Sequence, residues 1–131
     1  MAKTILIADD SASMRLSGRF LLQGRHTGLV VREAVDGVDA IEKARKSKPD
    51  IILLDLAMPR LNGAEAATIL KHDMPETPVV LFTMNTDLHA DTLSAAIGIE
   101  FISKVDGIPK LLECVDALLP PALPNEGETL W

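Results

Sequence analysis

Short apolar runs without polar alternation constrain the fold of this chain more than any other feature. The clearest is Ile-Ile-Leu-Leu at residues 51–54, and similar runs rich in β-branched residues recur along the sequence. They predict strands at residues 4–8, 29–31, 51–54, 79–82 and 99–102. Strands that are apolar on both faces are typical of a parallel sheet with helices on both sides.

Segments with helical spacing separate these runs. They predict helices at residues 14–22, 38–44, 64–70, 88–97 and 108–119. In the last of them Leu111, Val115 and Leu119 fall on one stripe, so this helix packs one face on the sheet. The alternation predicts an α/β fold, a doubly wound five-stranded parallel sheet with right-handed crossovers.

Length and composition set the domain organisation. The chain has 131 residues, 47% of them hydrophobic, which suits one ordinary domain. We expect that domain to span residues 1–119, followed by a Pro-rich tail or start of a linker at residues 120–131. The net charge of −6 argues against nucleic-acid binding by this domain itself.

The compartment is predicted from what the sequence lacks. Cys114 is the single cysteine, no secretion signal precedes the first strand, and no apolar stretch reaches the roughly 20 residues needed to span a bilayer. We therefore expect a cytoplasmic protein without membrane contact. Cys114 itself is interpreted as a small core residue.

Three carboxylates stand at the ends of predicted strands. Asp9 and Asp10 close the first run, and Asp55 closes the third. If these strands are parallel neighbours, the acids converge at one sheet edge and repel one another unless a cation is bound. Hard oxygen ligands suit Mg2+, and a metal beside a solvent-facing carboxylate lets that carboxylate attack phosphorus. Asp55 is then the candidate nucleophile.

Two more polar residues follow the later strands. Thr83 comes after residues 79–82, and Lys104 comes just after the fifth predicted strand. A hydroxyl and an ammonium at the same edge could hold the oxygens of a phosphoryl group on Asp55. Together with the acids they predict a phosphoacceptor site.

This order of residues resembles the receiver domain of two-component response regulators. The resemblance rests on Asp9-Asp10, on Asp55 with Met58-Pro59 three residues later, and on Thr83 and Lys104. It covers residues 4 to about 119. It implies the flavodoxin-like strand order 2-1-3-4-5 and a signalling domain that is no enzyme beyond its own phosphorylation and slow dephosphorylation.

The resemblance also assigns roles. Asp55 accepts a phosphoryl group from a sensor histidine kinase. The implied Mg2+ ligands are Asp10, Asp55, Asp9 in part through water, and the backbone carbonyl of Ala57. Lys104 pairs with the phosphate, Thr83 hydrogen-bonds the modified aspartate, and Phe101 occupies the aromatic switch position.

Other residues resemble the LuxR-type branch, in which a C-terminal helix-turn-helix domain binds DNA. Met84 follows the threonine and Val105 follows the lysine, where the family often has a small residue and proline. The output is then transcription, unless the receiver stands alone. We expect the fourth helix with Leu93, the fifth strand and the last helix to mediate docking or a phosphorylation-dependent homodimer.

Rival interpretations make different demands on the same positions. An aspartate-nucleophile phosphatase would want an acid where Ala57 stands, and a flavin or dinucleotide binder would need a Gly- or Ser/Thr-rich first loop instead of Asp9-Asp10. A receiver-like scaffold that takes no phosphate is the third alternative. Taken alone, an acidic pair is more often a helix cap.

Overall fold

The computed structural model describes residues 3–55, 63–83, 100–103 and 107–119. From residue 4 to residue 83, strands and helices alternate along the chain. The strands are β1 (Thr4–Ala8), β2 (Val30–Ala34), β3 (Ile51–Leu54), β4 (Val79–Thr83) and β5 (Glu100–Ser103). The helices are α1 (Ala12–Arg25), α2 (Gly37–Lys46), α3 (Gly63–Asp73) and the C-terminal helix (Gly107–Leu118).

All five strands form one parallel sheet in the order β2-β1-β3-β4-β5. This confirms the predicted fold class and strand order. The register pairs Ala8 with Ala34 on one side and with Leu54 on the other. The residues that directly follow β1 and β3 therefore lie side by side at the carboxyl edge.

The sheet buries both faces, as its unbroken apolar strands predict. One face packs against α2 and α3, and its largest buried side chains include Leu6, Ile52, Leu54, Leu70 and Leu81. The other face packs against α1 and the C-terminal helix, and its buried side chains include Ile5, Leu22, Ile51, Val80 and Val115. Successive strand residues alternate between the two cores.

Polar residues start two of the helices. Ser11 caps α1 by accepting a hydrogen bond from the Met14 amide at 3.3 Å. Asp36 caps α2 by accepting one from the Asp39 amide at 2.8 Å. Each cap satisfies an amide that the helix itself leaves without a partner.

The predicted bounds of β2 were wrong. The apolar run ends at Val31, but the strand continues through Arg32 and Glu33 to Ala34. Both charged residues find partners beside this edge strand: Arg32 donates to the Ser47 and Lys43 carbonyls, and the Glu33 carboxylate pairs with arginines of α1. Hydropathy alone therefore ended the strand too early.

The other predicted elements match to within a few residues. α1 and α3 each extend about one turn beyond their apolar cores, because exposed polar residues continue a helix once it is packed. The predicted helix at residues 88–97, with Leu93, and the tail at 120–131 lie outside the described residues. Among the helices that the structure describes, none is long and apolar enough to cross a membrane.

Candidate phosphoacceptor site

Three aspartates meet at the carboxyl edge of the sheet. Asp9 and Asp10 follow β1, and Asp55 follows β3, where its amide donates to the Ala8 carbonyl at 2.9 Å. One carboxylate oxygen from each residue lies within 4.8 Å of the others. Asp9, Asp10 and Asp55 are called the acidic cluster below.

The acidic cluster lies half inside the protein. Asp9 is 5% exposed and Asp55 is 8% exposed, whereas Asp10 is open to solvent. Carboxylates this close repel one another, and burial strengthens the repulsion because the local dielectric falls. A cation held between them would relieve it.

The donor set fits Mg2+. Carboxylate oxygens are the hard ligands this ion prefers, and it commonly takes one or two carboxylates while keeping several waters. The spacing allows one ion to touch oxygens from two strands, and the exposed Asp10 leaves an open side for water or a phosphoryl group.

The backbone around Asp9 is fixed at several points. Its amide donates to the Ala34 carbonyl at 3.1 Å, and its Oδ1 accepts from the Ser11 amide at 2.9 Å. Its carbonyl accepts from Arg15 Nη1 at 2.7 Å. The turn between β1 and α1 is therefore tied to both β2 and the first turn of the helix.

An apolar pocket lies directly beneath the acids. Asp9 and Asp55 line it together with side chains from the sheet and the two helices of that face, namely Ile7, Met14, Leu53, Phe82 and Leu111. Gly18 of α1 also faces it, and a Cβ there would come within 3.2 Å of Ile7 Cδ1. The small residue lets α1 approach β1 closely beneath the acids.

The structure brings together only part of the predicted site. It places one carboxylate oxygen each of Asp9, Asp10 and Asp55 within 4.8 Å of the others. It also places the Thr83 backbone at the end of β4 and that of Phe101 within β5. The side chains of Thr83 and Phe101, and the whole of Ala57 and Lys104, lie outside the described residues. Their assigned roles stay predictions.

Sequence reasoning missed Arg15 and Glu33. An arginine on a helix that also carries polar residues is normally solvated, so nothing in the sequence marks Arg15 as a partner of the Asp9 carbonyl. The only signal was the charged pair Arg32-Glu33 directly after the apolar run of β2. A carboxylate in a strand beside a packed helix is expected to have a specific partner.

The family model for the response regulator receiver domain matches residues 5–116. The chain belongs to this family. Receiver domains are signalling domains of two-component systems that bind Mg2+ at an acidic pocket, and the predicted family and function are therefore confirmed at that level.

Relatives of this receiver domain carry it within longer proteins. A protein-glutamate methylesterase/protein-glutamine glutaminase of Thermotoga maritima is 34% identical over 79% of this chain and 30% of its own length. A putative transcriptional regulator of Pseudomonas aeruginosa is 34% identical over 88% of this chain and 56% of its own length. The chain thus spans between about a third and about half of these relatives.

Solved structures show the same fold. A LuxR-family two-component response regulator from Aurantimonas sp. SI85-9A1 superimposes with a TM-score of 0.82 at 25% identity, over 92% of this chain and 88% of the other. The response regulator TrrA of Thermotoga maritima, solved in complex with Mg2+–BeF, gives 0.79 at 28% identity, over 88% and 98%.

Proposed function

We propose that Asp55 is the phosphoacceptor of this receiver domain and that the acidic cluster holds the Mg2+ that the reaction requires. One observation carries the proposal: three carboxylates from two adjacent strands place oxygens within 4.8 Å of one another. We assign Asp10 and Asp55 as direct ligands, Asp9 as a ligand partly through water, and the Ala57 carbonyl as a further ligand. TrrA, a structural neighbour, binds Mg2+–BeF.

The proposed reaction is a phosphoryl transfer. A carboxylate oxygen of Asp55 forms the new bond to phosphorus while the bond to the donor breaks, and the donor atom leaves with the electron pair. From a phosphohistidine, the leaving imidazole nitrogen becomes protonated. A bound Mg2+ supplies charge neutralisation at the incoming phosphoryl oxygens.

The protein positions Asp55 and places apolar side chains beneath it. The amide of Asp55 bonds to the Ala8 carbonyl, so the sheet already holds the backbone of Asp55 in place before attack. The pocket beneath it is lined mostly by apolar side chains, which would disfavour water on the inner side of the acyl phosphate. Slow loss of the phosphoryl group is expected.

Thr83, Lys104 and Phe101 complete the proposed switch. Phosphorylation replaces one negative charge with about −1.5 to −2 and adds three acceptor oxygens. In our proposal Thr83 and Lys104 move toward these oxygens, and Phe101 fills the space that is left. Shifting such an equilibrium from 1:99 to 99:1 requires about 5.5 kcal/mol of differential stabilisation.

We propose a sensor histidine kinase as the phosphoryl donor. The helix that starts two residues after Asp10 exposes two large apolar side chains, Leu16 at 65% and Phe20 at 76%. They lie four residues apart on one face, which is typical of a protein-binding surface.

We expect Phe20→Ala to slow transfer from a kinase that phosphorylates the wild type, and labelling by acetyl phosphate to stay unchanged. Equal transfer from the kinase to both proteins would remove this helix face from the contact.

We propose transcription as the output of the complete protein. The chain resembles a putative transcriptional regulator and a LuxR-family response regulator, although another relative is a methylesterase/glutaminase. In this proposal residues 1–119 are the receiver and residues 120–131 lead toward an output segment that does the DNA binding. In this proposal the acidic receiver acts in the cytoplasm as a phosphoprotein that forms a phosphorylation-dependent homodimer. It catalyses only its own phosphorylation and slow dephosphorylation.

Acetyl phosphate labelling tests the proposal. Intact mass spectrometry should show one added phosphoryl group on the wild type in Mg2+ and none after chelation. Asp55→Asn should remain unlabelled, while Asp116→Asn, a matched change of an aspartate on the C-terminal helix, should label normally. Labelling of Asp55→Asn at the wild-type rate would overturn the assignment. A wild type that never labels would favour the scaffold alternative.

A further inference from the structure

Two arginines on α1 share one carboxylate. Arg15 Nε lies 2.9 Å from Glu33 Oε1, and Arg19 Nη2 lies 2.9 Å from Glu33 Oε2. The arginines are four residues apart, so both project from the same face of α1 toward β2. Each therefore ties the helix to the edge strand through the same partner.

The two arginines differ in their second contact. Arg15 Nη1 donates to the main-chain carbonyl of Asp9 at 2.7 Å, whereas Arg19 Nη2 donates to the carbonyl of Val31 at 3.0 Å. The Arg15 side chain is 13% exposed and that of Arg19 is 39% exposed. Only the more buried arginine reaches the acidic cluster, and it does so through the backbone.

The Asp9 carbonyl lies between the two acids of the pair along the backbone. It belongs to the planar peptide unit that joins Asp9 to Asp10, so fixing its direction fixes ψ of the first residue and the start of the second. The amide and the carboxylate of Asp9 bond to Ala34 and Ser11. The bond from Arg15 reaches the carbonyl of the peptide unit that leads into Asp10.

We propose that Arg15 is a positioning residue that sets the Asp9–Asp10 peptide so that both carboxylates face Asp55. In this proposal Glu33 holds the Arg15 guanidinium against β2 and offsets its charge. The guanidinium therefore binds the Asp9 carbonyl and leaves the carboxylates of the acidic cluster available to a metal ion. The inference rests on the proposed function, because the property it explains is Mg2+ affinity.

Arginine is suited to this task and lysine is not. The guanidinium offers five donors in a rigid plane, so Nε and Nη1 can bind two partners at once in fixed directions. An ammonium on a flexible stem could satisfy either Glu33 or the Asp9 carbonyl without fixing their relative position. Arg15→Lys should therefore retain the charge and lose the positioning.

The test compares two variants, each of which lacks one of the two arginines that pair with Glu33. Isothermal titration calorimetry gives the Mg2+ dissociation constant of the wild type, Arg15→Met and Arg19→Met. We expect roughly tenfold weaker binding for Arg15→Met, the scale typical of partners that orient metal ligands, and less than a twofold change for Arg19→Met. Loss of a positive charge alone would strengthen Mg2+ binding in both variants, so weaker binding isolates the positioning effect.

Each outcome decides one question. Equal dissociation constants for the two variants would overturn the role of Arg15 while leaving the proposed function intact. A wild type that binds no Mg2+ would overturn the proposed function and this inference with it. If Arg15→Met does not fold, as far-ultraviolet circular dichroism would show, Arg15→Lys and Arg19→Lys replace the pair with the same expected difference.

Discussion

Aspartates lie near both ends of α1, and their surroundings are opposite in kind. Beside its N-terminus the acidic cluster gathers three carboxylates within 4.8 Å. Beside its C-terminus Asp116 of the C-terminal helix accepts hydrogen bonds from Arg25 at 2.5 to 3.0 Å and lies 2.8 Å from His26 Nε2. We call the second group, Arg25, His26 and Asp116, the Asp116 clamp.

The comparison shows that one end of a helix can border a reactive site while its other end forms a stabilising ion pair. The hydrogen bond from Arg25, helped by that from His26, holds the pKa of Asp116 below its ordinary value, and the same pairing raises the pKa of Arg25. At this end of α1 the negative charge of Asp116 is paired with the positive charge of Arg25. At the other end, crowded carboxylates repel one another and create a place for a cation.

The largest difference should appear in phosphorylation when one acid of each group is neutralised. Asp10→Asn removes a proposed Mg2+ ligand, so labelling by acetyl phosphate at limiting Mg2+ should slow by roughly a hundredfold. Loss of a residue that only orients a metal ligand already lowers metal affinity or activity by up to about that factor. Asp116→Asn should label at the wild-type rate. Similar slowing in both variants would mean that the acidic cluster has no special role.

The next largest effect is stabilisation by Mg2+. An ion that binds only the folded state at ten times its dissociation constant raises the free energy of unfolding by about 1.4 kcal/mol. Urea titrations with and without Mg2+ should show this gain in the wild type and in Asp116→Asn. A comparable gain in Asp10→Asn would place the ion elsewhere.

A smaller effect of opposite sign is expected without metal. Two carboxylates at the spacing of the acidic cluster repel by about 1 kcal/mol in a water-like dielectric. In chelator, Asp10→Asn should therefore raise the free energy of unfolding by about that amount, so that one substitution weakens function and strengthens the fold. Destabilisation of this variant in chelator would contradict the repulsion argument.

The smallest effect concerns the Asp116 clamp and pH. Because folding lowers the pKa of Asp116, its contribution to stability is present above the unfolded value of about 3.9 and is lost as pH falls through the folded value. Asp116→Asn should be less stable than the wild type at pH 7. Urea titrations at successively lower pH should show this gap closing below about pH 4, and a constant gap would exclude the ionised pair as its cause.

Much of this arrangement could be predicted from the sequence. The apolar runs before Asp9 and Asp55 predict parallel strands, and carboxyl ends of neighbouring parallel strands share an edge, so the meeting of the acids follows from hydropathy and topology. The cap at Asp36 agrees with the Asp36-Gly37 pair, a helix-start signal, at the beginning of α2.

The rest depends on contacts that no local pattern encodes. β2 continues through Arg32 and Glu33 because Arg32 donates to backbone carbonyls at the end of α2 and Glu33 pairs with arginines of α1. Those partners are known only once the helices are packed. The bond from Arg15 to the Asp9 carbonyl is equally invisible, since a backbone acceptor leaves no signature in the sequence.

Locating the modified residue tests the central claim most directly. After labelling with acetyl phosphate and Mg2+, borohydride reduction would convert an aspartyl phosphate to a stable homoserine, and peptide mass spectrometry would identify its position. We predict a single modified residue, Asp55. Modification at Asp9, Asp10 or an aspartate outside the acidic cluster, with Asp55 intact, would contradict the account.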